Sequence, residues 1–292
     1  MKKSILSLTV LFLLFQSSLW AAPPSRVVLL GGSSVLTSYL PEESTETATL
    51  QRALDARYGE GAAVVENWAD NGEFIARFLL SGKYEKFRTK SEGVDVFIIR
   101  FGTNDAKRML PKEFGQQLEK LLDLLHADFP EAKFILGDGL YLDFPDHYTK
   151  DRNLEQQPFW EQTRAVAQNR KIPLMPLFEA SKKETLNGNW DLRIRSQRDK
   201  TITLDASKDA EFPGDVDWFT DIHPNAAGVK VAVDTEMAVL KSSFPKNLPK
   251  GGTKAERPAK HTEDYVRILN FDPERLKKRL MVNPDSFQLP VQ

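Results

Sequence analysis

The sequence predicts an α/β domain in which a doubly wound parallel sheet of about five strands carries helices on both faces. Short, wholly apolar runs recur along the chain, as expected of parallel strands buried on both sides. Segments of helical period lie between them. The length, 292 residues, suits one such domain with accessory segments.

The expected strands are Val27 to Leu30, Ala62 to Val65, Val94 to Ile99, Phe134 to Leu136 and Leu174 to Phe178. Helices are expected where Leu50, Leu54 and Tyr58 recur, where Phe74, Phe78 and Leu79 recur, and along Phe114, Leu118, Leu121, Leu122 and Leu125. Pro111 suits a first helical position and Pro130 falls beyond that helix's end. Phe159, Thr163, Val166 and Ala167 mark a fourth helix, and Val229, Ala232, Val233, Glu236 and Leu240 a last one. The simplest arrangement of these units is flavodoxin-like, with ligands bound at the carboxyl ends of the strands near the switch point.

Three segments are expected: a signal peptide at 1–22, a catalytic domain at 23–244, and a linker with a short helical tail at 245–292. The first has Lys2 and Lys3, an apolar run from Ile5 to Phe15 and small residues up to Ala22, a secretory pattern too short for a stable membrane span. The mature protein is therefore expected outside the cytoplasm, secreted or periplasmic. Within the domain, 139–158 and 179–214 read as long loop insertions. Beyond Pro245 the composition shifts to Lys, Pro and Gly, and Asp272-Pro273-Glu274 reads as the cap of a helix at Leu276 and Leu280.

A net charge of −1 gives no electrostatic footprint for nucleic acid or an anionic membrane. The absence of cysteine removes disulfides, thiol nucleophiles and thiolate metal sites. Asp205, Ser207, Asp209 and Glu211 alternate like a calcium loop, but Ala210 and Val216 stand where that loop needs Gly and Glu, so neither metal nor organic cofactor is expected.

The first strand runs directly into Gly31-Gly32-Ser33-Ser34. A serine on a tight turn at a strand's carboxyl end suits a nucleophile, although a plain turn or a phosphate-binding loop has the same look. Further blocks follow at successive strand ends: Asn67 to Glu73 with Gly72 opening a helix, Phe101-Gly102-Thr103-Asn104-Asp105, and Asp221-Ile222-His223-Pro224 before the last helix. In a flavodoxin-like order the first and third strands are neighbours, which brings Ser33 and Asn104 to one edge. Of four histidines, His126 falls in an amphipathic helix, His147 in a polar loop and His261 in the tail, leaving His223 on a strand-end loop.

This ordered quartet resembles the SGNH (GDSL-like) hydrolases, whose blocks are Gly-Asp-Ser, a glycine after the second strand, Gly-x-Asn-Asp, and Asp-x-x-His-Pro. The resemblance spans about Val27 to Leu240 and implies the SGNH hydrolase fold. It implies Ser33 as nucleophile, with Ser34 the alternative, and His223 as general base. The Ser33 and Gly72 N–H groups and the Asn104 amide are implied as the oxyanion hole. Two departures stand out. Gly32 replaces the family's Asp, and Thr220 occupies the position of its triad acid, leaving Asp221, Asp217 or a backbone carbonyl to orient the imidazole.

The implied reaction is hydrolysis of a carboxylic ester through an acyl-enzyme, on a small-molecule or carbohydrate ester. Polar, aromatic-bearing loops favour a carbohydrate O-acetylesterase, with Trp190, Trp218, Tyr141, Tyr148 and Trp160 as possible sugar-stacking faces or, equally, core anchors. The alternatives are a lipolytic esterase, lysophospholipase or thioesterase, and a glycan-binding protein whose hydrolase site has decayed.

Overall fold

A computed structural model describes residues 23–142, 152–187, 193–197, 200–205 and 218–270. The expected signal segment and the helix expected near Leu276 lie outside the described residues.

Five strands form a wholly parallel sheet in the order β2-β1-β3-β4-β5: β1 (Ser25–Gly31), β2 (Ala63–Asn67), β3 (Val96–Arg100), β4 (Lys133–Gly137) and β5 (Leu174–Met175). This is the doubly wound sheet that the apolar runs predict. Alternation along each strand divides the interior into two cores. Val28, Leu30, Phe97, Ile99 and Leu136 face one, whereas Val27, Leu29, Val96, Ile98 and Ile135 face the other.

Nine described helices cover the sheet: α1 (Ser33–Leu36), α2 (Glu46–Tyr58), α3 (Ile75–Leu80), α4 (Lys83–Lys90), α5 (Pro111–Asp128), α6 (Arg152–Arg170), α7 (Leu177–Leu186), α8 (Ala226–Ser243) and α9 (Thr262–Leu269). Their ends follow local chemistry. Pro111 opens α5, where its missing N–H costs nothing, and Glu113 accepts from the Leu110 N–H at 2.9 Å. The Asn225 side chain caps α8 by accepting from the Gly228 N–H at 2.8 Å.

Three regions depart from expectation. The fifth strand stops at Met175 because Pro176 cannot donate to the ladder, and Leu177 and Phe178 begin α7 instead of completing the strand. The expected insertion at 139–158 is helical from Arg152, and the one at 179–214 contains the end of α7 and two strands, β6 (Arg193–Gln197) and β7 (Lys200–Asp205). These pair with β8 (Trp218–Pro224) in an antiparallel sheet of order β7-β6-β8. His223 therefore lies on a strand, not on a loop.

Where the composition reads as a linker, the chain from Leu248 to Arg257 lies against the domain. Leu248 is buried, and the Gly252 N–H donates to Asp95 Oδ1 at 2.8 Å. A side chain on Gly252 would overlap the Val94 carbonyl, and one on Gly93 the Gly252 carbonyl, so two glycines permit backbone-to-backbone approach. Arg257 binds Asp128 at 2.6 Å and Glu85 at 2.9 Å, and α9 inserts Tyr265 edge-on against Tyr84.

Candidate active site

The end of β1 makes a turn that tolerates little side-chain volume. A Cβ on Gly31 would lie 2.6 Å from both the Arg100 carbonyl and Val35 Cγ2, and one on Gly32 would lie 2.9 Å from Asn104 Nδ2. Those two glycines let the chain enter α1 at once, with Ser33 as its first residue. The Ser33 hydroxyl lies 2.7 Å from His223 Nε2. Ser34 also borders the cleft, and its carbonyl accepts from Arg100 on the sheet side at 3.2 Å.

His223 reaches Ser33 from the second sheet. Its ring meets Tyr39 edge-on, with centroids 5.1 Å apart, and the Tyr39 hydroxyl donates to the Pro224 carbonyl at 2.8 Å. Tyr39 thus holds the histidine segment by ring and by hydroxyl, a role no motif announces. Asp221 lies on β8 two residues before His223; its side chain and Asp217 lie outside the described residues. The register of β8 is irregular here: Arg193 pairs with Pro224 and Arg195 with Thr220, two steps on β6 against four on β8. Such bulges re-aim side chains, so the spacing between acid and histidine does not carry over from a regular turn.

The third side of the cleft is the turn after β3. Gly102 has φ +122, a backbone conformation suited to glycine, and a side chain there would meet the Trp160 ring. Asp105, fully buried, accepts from the Gly102 N–H at 2.8 Å and the Ile75 N–H at 3.1 Å, clamping this turn to the segment after β2. Burial pushes its carboxyl up to about 6, against the lowering effect of those two N–H groups. Asn104 Nδ2 donates to the Glu73 carbonyl at 3.0 Å, a second tie between the same segments. Gly72, at φ +67, occupies the left-handed region.

Glu73 is buried beside the cleft, with Lys83 Nζ 3.3 Å and Arg77 Nε 3.7 Å from its carboxylate. Burial raises its pKa and the two cations oppose the rise. Leu140, Leu142 and Ile222 line the cleft together with Gly32, Ser33, Thr103 and Asn104. The expected sugar-stacking aromatics do not gather here among the described residues. Trp160 is a core residue under the Gly102 turn, and Tyr141 packs on Phe178 at 5.6 Å. The side chains of Trp218, Trp190 and Tyr148 lie outside the described residues.

A strand-end serine paired with a histidine that precedes a helix, beside an asparagine turn, agrees with the family model that matches residues 30–231. The chain belongs to the GDSL-like Lipase/Acylhydrolase family. Solved structures of the same fold extend along this hydrolase. A lipolytic G-D-S-L family protein from Veillonella parvula aligns over 74% of this chain and 98% of its own, with 14% identity and a TM-score of 0.54. The acetylxylan esterase Axe2 from Geobacillus stearothermophilus aligns over 75% and 96%, with 14% identity and a TM-score of 0.52. The α/β hydrolase LAE5, from the metagenome of Lake Arreo, aligns over 75% and 96% at 17% identity and a TM-score of 0.53. At such identities the likeness is one of fold. No curated protein matches the chain in sequence.

Proposed function

We propose that this GDSL-like hydrolase is an exported serine esterase that removes small acyl groups, most simply acetyl, from a polar alcohol such as a carbohydrate. The observation that carries the reading is the 2.7 Å contact between the Ser33 hydroxyl and His223 Nε2 at the carboxyl edge of the sheet. In the reaction, Ser33 Oγ attacks the ester carbonyl carbon while His223 Nε2 takes the hydroxyl proton. The resulting oxyanion is held by the Ser33 and Gly72 N–H groups and by Asn104 Nδ2. Collapse breaks the ester C–O bond, and His223 returns its proton to the departing alcohol. Water, deprotonated by His223, then releases the acyl group and restores Ser33. Asp221 is the preferred group to orient the imidazole, with Asp217 or a backbone carbonyl as the alternatives.

The preference for a short acyl group rests on the polar lining of the cleft, in which Ser33, Ser34, Glu73, Arg100, Thr103, Asn104 and His223 outnumber the apolar Phe101, Leu140, Leu142 and Ile222. The fold shared with an acetylxylan esterase supports the same substrate class. The leader-like residues 2–22 support export, and among the described residues no helix is long and apolar enough to cross a membrane.

The test is fluorophosphonate labelling of the chain beside Ser33→Ala, Ser34→Ala and His223→Ala, followed by p-nitrophenyl esters of increasing chain length and a panel of acetylated sugars. Labelling lost only with Ser33→Ala and slowed with His223→Ala is the expected pattern, with activity falling steeply beyond the shortest esters. Labelling that survives Ser33→Ala and disappears with Ser34→Ala refutes the nucleophile assignment. Rates that persist or rise with chain length transfer the reading to a lipolytic esterase or thioesterase. Complete absence of labelling, with glycan binding intact in Ser33→Ala, points to a decayed site.

A further inference from the structure

Beneath the nucleophile turn lies a group of charges that the reaction does not use. Arg100, the last residue of β3, alternates onto the same sheet face as Val96 and Ile98 and runs across β4 at Gly137, where a Cβ would lie 2.6 Å from Arg100 Cγ. Its guanidinium donates to Glu46 at the start of α2 and to the Ser34 carbonyl at 3.2 Å, and its other nitrogen lies 3.9 Å from Glu236 on α8. Glu46 and Glu236 are both 0% exposed, and Arg100 is 8% exposed at the floor of the cleft.

Two buried carboxylates facing one guanidinium would leave an uncompensated charge, a cost that protein interiors avoid by protonation. Neither Glu236 oxygen, nor Glu46 Oε1, accepts a hydrogen bond from an existing donor. A proton on Glu236 would make the group neutral, and Arg100 Nη1 likewise has no hydrogen-bond partner. Burial and the adjacent Glu46 both raise the Glu236 pKa in that direction. Glu46 is fixed in turn: its backbone N–H donates to Thr37 Oγ1, at the end of α1, at 2.8 Å.

We propose that the Glu46–Arg100–Glu236 group is a positioning device for the nucleophile, in which Arg100 holds the Ser34 carbonyl from below and so sets Ser33 against His223. The inference rests on Ser33 as the nucleophile. A one-turn helix has little stability of its own, so its placement depends on such outside contacts. Arg100 touches no reacting atom; it acts through the turn, on the step in which Ser33 attacks, and not on substrate binding.

The experiment measures the rate of fluorophosphonate capture, together with kcat and KM on p-nitrophenyl acetate, in the full chain carrying Arg100→Gln, Arg100→Lys, Ser33→Ala or Arg88→Gln. Arg88 is a comparably buried arginine, bound to Asp128 and the Ala255 carbonyl away from the cleft, and reports the effect of losing a structural arginine alone. Arg100→Gln is expected to slow capture and kcat by about 100-fold, the scale of a 1 Å misplacement, at unchanged KM. Arg88→Gln should label normally per folded molecule. Where Arg100→Gln does not fold, Arg100→Lys decides, because it keeps the charge but loses the planar guanidinium whose Nη2 donates to both Glu46 and the Ser34 carbonyl. Arg100 variants that fold and label at the unmodified rate overturn the proposal, as does an equal loss in Arg88→Gln. Labelling that persists in Ser33→Ala would instead overturn the nucleophile reading beneath it.

Discussion

Replacing Asn104 by Ala separates chemistry from stability at one residue. The Asn104 amide has two N–H bonds. One donates to the Glu73 carbonyl at 3.0 Å, and the amide sits beside Gly32 at the edge of the cleft, where the other can meet an oxyanion. Losing a single oxyanion donor removes about 2.7 to 4 kcal/mol of transition-state stabilisation, or roughly 100- to 1000-fold in kcat. Losing the partly buried bond to Glu73 costs about 1 kcal/mol of folding stability. The two effects are therefore expected to be unequal: a large fall in kcat, an unchanged KM, and a small shift in the urea midpoint. Steady-state kinetics on p-nitrophenyl acetate and equilibrium unfolding measure both in one preparation. Asn104→Asp should be at least as slow, since a carboxylate offers no donor and repels the oxyanion. A fall in kcat of less than about 10-fold, with the expected loss of stability, would remove Asn104 from the oxyanion hole and leave it a structural tie.

Gly32→Ala would set a methyl 2.9 Å from the same amide, and the displaced donor is expected to lower kcat by about 10-fold at little cost in stability, well short of the 100-fold assigned to a full 1 Å misplacement. An unchanged kcat would show that the amide has room to move. Asp105 binds its proton more tightly in the folded chain, near 6 against an ordinary 3.8, so its contribution to stability is full below 3.8 and is lost as pH rises through about 6. That loss is roughly 3 kcal/mol, and Asp105→Asn should remove this part of the slope when urea midpoints are compared at pH 4 and pH 7; an unaltered slope refutes the assignment. Gly252→Ala forces a methyl into the Val94 carbonyl and should cost about 1 to 3 kcal/mol, with activity per folded molecule unchanged because Val94 precedes β3 and the cleft lies at the strand's other end. Tyr39→Phe loses the bond to the Pro224 carbonyl but keeps the ring against His223, so kcat should fall far less than in Tyr39→Ala; equal losses would place the whole effect in the hydroxyl.

The parallel sheet was legible because its strands are apolar on both faces and so short that nothing else accounts for the pattern: Val27 to Leu30 and Val94 to Ile99 each lie within two residues of an observed strand. Proximity of Ser33 and Asn104 was legible for a topological reason, since β1 and β3 are neighbours with Gly31 opposite Arg100. The second sheet was hidden because β6 holds a single apolar residue, Ile194, and β7 only Ile202 and Leu204, inside a charged stretch too polar to give a strand signal. The packing of 248–257 was hidden for the opposite reason: its glycines and lysines have the composition of a linker, and only the approach of Gly252 to Val94 reveals what the glycines are for. Tyr39, Arg100, Glu46 and Glu236 share no local pattern at all, and their parts in the site exist only once separate elements meet.

The Gly32 departure now has a physical account. In this chain the amide of Asn104 comes so close to the nucleophile turn that position 32 holds no side chain without displacing it. Besides the Ser33–His223 contact, the described hydrogen bonds that reach α1 from other elements are those of Arg100 Nη2 to the Ser34 carbonyl, of Asn67 Nδ2 to the Val35 carbonyl at 2.9 Å, and of the Glu46 N–H to the Thr37 hydroxyl at its end. The two observations belong together. A glycine at 32 leaves room for the Asn104 amide and loosens the turn, and a buried guanidinium bound to Glu46 and to the Ser34 carbonyl is placed to offset that loosening. On this argument Gly32 and Arg100 are coupled: putting Ala at 32 should hurt a chain lacking Arg100 less than it hurts the intact one, because a turn already released can move away from the methyl. A double-mutant cycle on kcat reads that coupling directly, and strict additivity would mean that the two features arose for unrelated reasons.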